Sequence, residues 1–139
     1  MAHDFQKYPE LTNSQMQILY FDSPHRQITD DFIADVVKVT DGDTIRVKWS
    51  ERNFNFPVRL ANINAQEMQN GGEEAKEWLK KEIEGEEVEV KINKKNRVGK
   101  YGRLIGTIMY AGVNINQMSE TLGYAKKFGE PSIFGEIKI

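Results

Sequence analysis

Residues 32–49 read FIADVVKVTDGDTIRVKW, and this stretch decides the fold. Phe32 to Val39 is rich in β-branched residues and reads as a strand. Thr40-Asp41-Gly42-Asp43 is a turn, because Asp-Gly tolerates the positive φ that hairpin geometry asks for. Thr44-Ile45-Arg46-Val47-Lys48-Trp49 alternates apolar and polar residues and returns as a second strand.

Downstream, Phe54 to Ile63 is a third strand, and its Pro57 places it at an edge or a bulge. Asn70-Gly71-Gly72-Glu73 has the form of a capping box. Ala75, Trp78, Leu79 and Ile83 then recur at helical spacing until Gly85 stops the helix. Val88, Val90 and Ile92 alternate with charges as a fourth strand, and Leu104 to Tyr110 is a fifth. After an Ala111-Gly112 turn, Asn114 with Gln117 repeats the capping pattern. Ile115, Met118 and Leu122 mark a short helix that Gly123 ends. Three strands, a helix, two strands and a helix is the order of a Greek-key OB barrel. The predicted class is α+β, mainly β: a five-stranded OB-fold barrel with two helices over residues 31–139, with an extra arm over residues 1–30.

That arm carries Gln6, Asn13, Ser14, Gln15, Gln17 and Gln27, both histidines and two of the four prolines. Only Met16 to Phe21 is apolar enough to pack, so the expected anchor is there. The arm reads either as a disordered tail or as a docking segment that lies on this domain or on a protein partner.

A chain of 139 residues fits one domain and buries enough surface for its own core. It has no cysteine, which excludes disulfide scaffolds, thiolate zinc sites and cysteine nucleophiles. Met1 to Glu10 lacks the basic-then-apolar pattern of a signal peptide, and no apolar run approaches a membrane span. The expectation is a soluble protein with no membrane partner, cytoplasmic or virion-associated.

With 19 Lys+Arg against 21 Asp+Glu the net charge is -2, yet the signs are sorted. Residues 73–89 hold a run of glutamates that reads as the solvated face of the helix, with i,i+4 pairs such as Glu77 and Lys81. Residues 91–103 hold Lys91, Lys94, Lys95, Arg97, Lys100 and Arg103 and no acid. In an OB barrel this connection flanks the nucleic-acid face. Lys94, Lys95, Arg97 and Lys100 are therefore candidate phosphate contacts, and Tyr101 a candidate for stacking on a base.

Four elements carry chemistry in combination: Asp41-Gly42-Asp43-Thr44, Val58-Arg59-Leu60, Asn64-Ala65-Gln66-Glu67 and Tyr101-Gly102-Arg103. In this order, on these elements, the chain resembles the staphylococcal nuclease-like (thermonuclease) family over about residues 33–128. The resemblance implies calcium-assisted hydrolysis of DNA or RNA, with Mg²⁺ or Mn²⁺ as possible substitutes. On that resemblance Asp43 matches the first carboxylate ligand, Asn64 stands where the second is expected, and Ala65 offers a backbone carbonyl. Glu67 matches the general base. Arg59 and Arg103 match the arginines that clamp the phosphate, a task suited to a planar, permanently charged fork.

Two departures follow from the same comparison. The family turn usually reads Ile-Asp-(Ala or Thr)-Pro-Glu, whereas this chain has Ile63-Asn64-Ala65-Gln66-Glu67. One ligand charge and one stiffening proline are lost, so weaker cation binding is expected. At the C-terminus the family's long closing helix is absent. Residues 133–139 read as a short strand, and the apolar run 16–21 is a candidate to cover the surface left bare. The alternative function is a nuclease-like module that binds nucleic acid or docks protein without cutting. His3 and His25 have no spaced carboxylate partners, and Trp49 and Trp78 read as core or barrel-cap residues.

Overall fold

A computed structural model describes residues 5, 7–65, 72–99 and 102–127. After the arm come eight strands among the described residues, the five expected ones in the expected order and three short additions. They are β1 (Phe32–Asp41), β2 (Thr44–Lys48), β3 (Asn55–Leu60), β4 (Ile63–Ala65), β5 (Glu87–Lys91), β6 (Leu104–Tyr110), β7 (Val113–Asn114) and β8 (Ala125–Lys127). The helices are α1 (Asn13–Leu19), α2 (Gly72–Ile83) and α3 (Ile115–Thr121).

The main sheet is ordered β3-β2-β1-β5-β6-β7, and a parallel pairing of β3 with β6 closes it into a five-stranded barrel. Closure pairs β3 with β6 and so covers those two edges of the sheet. β1 explains how its sequence serves both ends of the barrel. Phe32, Ala34 and Val36 face inward, but strict alternation would then bury Lys38. The register slips between Val36 and Lys38, which leaves Val37 and Lys38 both outside and returns Val39 to the core. Such an extra residue bends the strand and flips its parity. Pro57 pairs across to Arg46, while β6 joins β3 only from Val58 onward, so the missing N–H falls where β3 has an open side.

α2 buries Ala75, Leu79 and Ile83, one residue per turn, against β1. Gly85 follows with φ of 84°, and its N–H donates to the Val36 carbonyl at 2.8 Å. Trp78 stacks on Tyr124 with ring centroids 5.2 Å apart, as a cap residue rather than an open platform. At α3 the Asn114 side chain accepts from the Gln117 N–H at 3.0 Å, the expected N-cap. β4 and β8, not anticipated as strands, pair antiparallel beside the barrel.

The arm corrects one expectation. Met16 to Phe21 is not the anchor: α1 and the 3₁₀ turn after it bury no residue, and Ile18 is 80% and Phe21 97% exposed. The arm is held instead by Glu10, Leu11, Gln27 and Ile28, all nearly sealed from solvent. Two of these four are polar, so hydropathy alone could not find them. Their polar groups are matched: the Leu11 N–H donates to Gln27 Oε1 at 2.7 Å, and the Ile28 N–H to Glu10 Oε1 at 3.0 Å. The expected closing strand at 133–139 lies outside the described residues. No helix among the described residues is long and apolar enough to cross a membrane.

Candidate active site

Barrel closure brings three separated pieces of chain together. The β1–β2 turn carries Asp41 and Asp43, the end of β3 carries Arg59, and the entry to β6 carries Arg103. In the ladder Thr44 pairs with Arg59, and Arg59 in turn pairs with Ile105. One strand position thus sets Arg59 between the turn and β6.

The turn folds on its own acid. The Asp43 N–H donates to Asp41 Oδ1 at 3.1 Å, and the Asp43 carbonyl accepts from the Leu60 N–H at 2.8 Å. Asp43 Oδ2 lies 3.5 Å from Arg59 Nη2, and Arg59 Nη1 donates to the Leu60 carbonyl at 2.8 Å. The Thr44 hydroxyl donates to Asp43 Oδ1 at 3.1 Å and accepts from Arg103 Nη1 at 3.5 Å. Thr44 is therefore the joint between the acid and the second arginine, a role that its place at the start of the second strand does not reveal. Burial and the neighbouring Asp43 carboxylate push the Asp41 carboxyl above its ordinary pKa.

Arg59 and Arg103 line one cleft of about 360 Å³. Lys91, Asn93, Asn96 and Thr107 share its lining with Leu60 to Ile63, and among the described residues no acid lines it. Three cations around a cleft with several amide and hydroxyl groups suit a phosphate. A residue missed in the sequence holds that lining in shape. Asn116, buried in α3, donates to the carbonyls of Ala61 at 2.9 Å and Gly106 at 3.2 Å and accepts from the Ile108 N–H at 3.0 Å. An asparagine two residues after an Asn cap, between apolar helix positions, was the available signal.

The other expected site residues divide. Asn64 and Ala65 are placed by their backbone in β4, opposite Lys126 and Ala125. Glu67, Lys100 and Tyr101 lie outside the described residues. Lys95 is exposed on the β5–β6 connection. Lys94 is exposed too, with its Nζ 2.9 Å from Asp30 Oδ1 of the arm. Arg97 is a correction. It is 3% exposed and points into the protein, where Nε donates to the Ile28 carbonyl at 2.7 Å and Nη1 to the Leu11 carbonyl at 3.0 Å. A guanidinium committed to buried carbonyls of the arm is not a nucleic-acid contact. Among the described residues no group of three or more His, Cys, Asp or Glu side chains gathers as a metal site.

A closed OB-type barrel with an acid-bearing β1–β2 turn and two arginines on one cleft defines a nuclease-type fold. Residues 57–133 match the family profile of staphylococcal nuclease homologues, and the chain belongs to that family. None of the curated proteins matches it individually.

Proposed function

We propose that the protein hydrolyses phosphodiester bonds of DNA or RNA at this cleft. The observation that carries the reading is the convergence of Arg59 and Arg103 on one cleft, with Arg59 Nη2 3.5 Å from Asp43 Oδ2 and Arg103 linked to Asp43 through the Thr44 hydroxyl. In this scheme Glu67 accepts a proton from water, the water oxygen bonds to phosphorus, and the opposite P–O ester bond breaks. The leaving oxygen takes up a proton from solvent. Arg59 and Arg103 bear the negative charge that gathers on the phosphoryl oxygens, donors already fixed before the reaction.

The donor chemistry fits a hard cation of the Ca²⁺ type, with Mg²⁺ or Mn²⁺ as substitutes. Asp41 and Asp43 bring two carboxylates to one turn; burial first and the Asp43 side chain next raise the Asp41 pKa, and a divalent ion beside them would favour the charged forms. Asp43, Asn64 and the Ala65 carbonyl would hold it. When bound it supplies Lewis-acid polarisation of the phosphate. With Asn64 in place of an acid, the site is short of charge and its affinity is expected to be weak.

The test is cleavage of a single-stranded DNA oligonucleotide in Ca²⁺, Mg²⁺ or Mn²⁺ by the wild type, Glu67→Ala and Arg103→Ala. Metal-dependent cutting lost in both variants supports the proposal. Binding without cutting in every metal refutes it and leaves a nucleic-acid-binding module.

A further inference from the structure

We infer that the N-terminal arm is a positioning element for Arg103, acting through Arg97 and Asn13. In its kinetic form the inference rests on the nuclease reading above.

The connection from β5 to β6 doubles back on itself just before Arg103. The Ile105 N–H donates to the Arg97 carbonyl at 2.8 Å, the Gly99 N–H to the Arg103 carbonyl at 2.7 Å, and Val98 bridges Leu104. Arg103 is therefore placed by the segment 97–99 opposite it. That segment is pinned from the far side by the arm. The Arg97 fork reaches three points of it at once: the Ile28 and Leu11 carbonyls, and Asn13 Oδ1 at 3.1 Å. Its Nη2 also lies 3.6 Å from Glu10 Oε1.

Two further contacts hold the ends of the connection. Asn13 Nδ2 donates to the Lys94 carbonyl at 3.0 Å. Gly102, with φ of 73°, lies so close to the arm that a Cβ there would stand 2.9 Å from Tyr8 Cβ. The residue just before Arg103 thus packs directly on the arm. Surface loops without such ties open at little cost in free energy. A phosphate clamp gains from donors fixed in advance, and a small misplacement is costly. A lysine at 97 offers one point charge and could not span these acceptors, which explains an arginine in a place where it meets no solvent.

The mildest perturbation is Asn13→Ala. Asn13 is exposed, and the helix cap beside it, Thr12, is untouched because its hydroxyl still accepts from the Gln15 N–H. In the oligonucleotide assay kcat should fall roughly tenfold with KM little changed, the scale of a slightly misplaced catalytic group. In an Arg103→Ala background, where cutting is already lost, the same change should leave inorganic-phosphate binding by calorimetry unaltered, because the group it positions is gone. A weakening of phosphate binding that persists in that background, or an unchanged kcat, overturns the inference. Amide exchange at Gly99, Gly102 and Ile105 should accelerate in Asn13→Ala while β1 stays protected, and unaltered exchange there also overturns it. If the wild type cuts nothing in any of the three metals, the nuclease reading fails by itself. The double-variant cycle by calorimetry with inorganic phosphate then decides alone. Weaker phosphate binding in Asn13→Ala that vanishes without Arg103 supports positioning, and equal binding overturns it.

Discussion

Glu10 is the arm residue whose loss should be felt most. Its carboxylate sits between Arg52 Nη2, to which it is hydrogen-bonded, and Arg97 Nη2. All three side chains are within 2% of complete burial. Arg52 is also boxed by rings, with its guanidinium carbon 4.5 Å from the Phe56 centroid, 5.5 Å from Phe54 and 5.7 Å from Trp49. That box accounts for Arg52 Nε and Nη1, buried donors with no hydrogen-bond partner among the described residues. Burial draws both guanidinium pKa values down, against the opposing charge of Glu10, but arginine remains charged throughout. Two cations thus share one anion in a dry site. Glu10→Gln keeps the shape and an acceptor for the Ile28 N–H, but it removes the charge and replaces the acceptor facing Arg52 Nη2 by an amide NH2.

Removing one partner from a buried pair costs about 3–5 kcal/mol. An unfolding entropy of about 2.1 cal/mol/K per residue gives roughly 0.3 kcal/mol/K over 139 residues. The melting temperature should then drop by roughly 10–17 °C. Circular dichroism melts at neutral pH measure this directly, with urea unfolding as the check on free energy. The double variant Glu10→Met with Arg52→Met should lose less than Glu10→Gln alone, because it removes a stranded cation together with the anion. A loss under about 1 kcal/mol in Glu10→Gln would mean that the arm lifts in solution and hydrates the arginines, and it would refute the buried-pair argument.

Three further outcomes are expected. Asn64→Asp restores a ligand charge and should tighten Ca²⁺ binding by roughly tenfold in calorimetry; an unchanged affinity places residue 64 away from the cation. His25 Nε2 lies 2.7 Å from the Pro9 carbonyl, and burial holds its pKa below the usual 6.5, with Arg52 adding to this and Glu10 opposing. The fold therefore favours neutral His25, so this stability is present above about pH 6.5 and is lost as pH falls through the depressed pKa, and His25→Gln should flatten the melting curve against pH in that window. A Cβ on Gly106 would stand 2.5 Å from Val90 Cγ1, so Gly106→Ala should cost about 1–3 kcal/mol, and adding Val90→Ala should recover part of it.

The barrel was legible because its signals are local. Alternation marked the strands, an Asp-Gly turn the hairpin, and glycines at 85 and 123 the helix stops, both at positive φ. What the pattern did not give was the register of the slip at Val37: Lys38 breaks the alternation, but where the extra residue falls is set by both strands of the pair. The short β4–β8 pair escaped for a similar reason. Three-residue strands are too short for periodicity to show, and they exist only because residues 63–65 and 125–127 meet in space.

The site divides along the same line. Asp43, Arg59 and Arg103 were found because a motif names them and the barrel gathers them. Arg97 misled for a physical reason: among lysines in a loop without acids, an arginine looks solvated. Its anion, Glu10, is 87 residues earlier in a segment that reads as polar and unstructured. Charge counted along a chain cannot distinguish a cation facing solvent from one neutralised across the fold. The distinction has a functional consequence here. With Arg97 turned inward and Lys94 paired to Asp30, the described part of the β5–β6 connection presents less free positive charge than its sequence suggests. The salt dependence of nucleic-acid binding should accordingly reflect the cleft cations Arg59, Lys91 and Arg103 more than the whole basic run. A slope of log affinity against log salt near 0.7 per phosphate contact on single strands should therefore stay shallow, close to that of about three contacts. A slope corresponding to six or more contacts would mean that the loop lysines engage the strand after all.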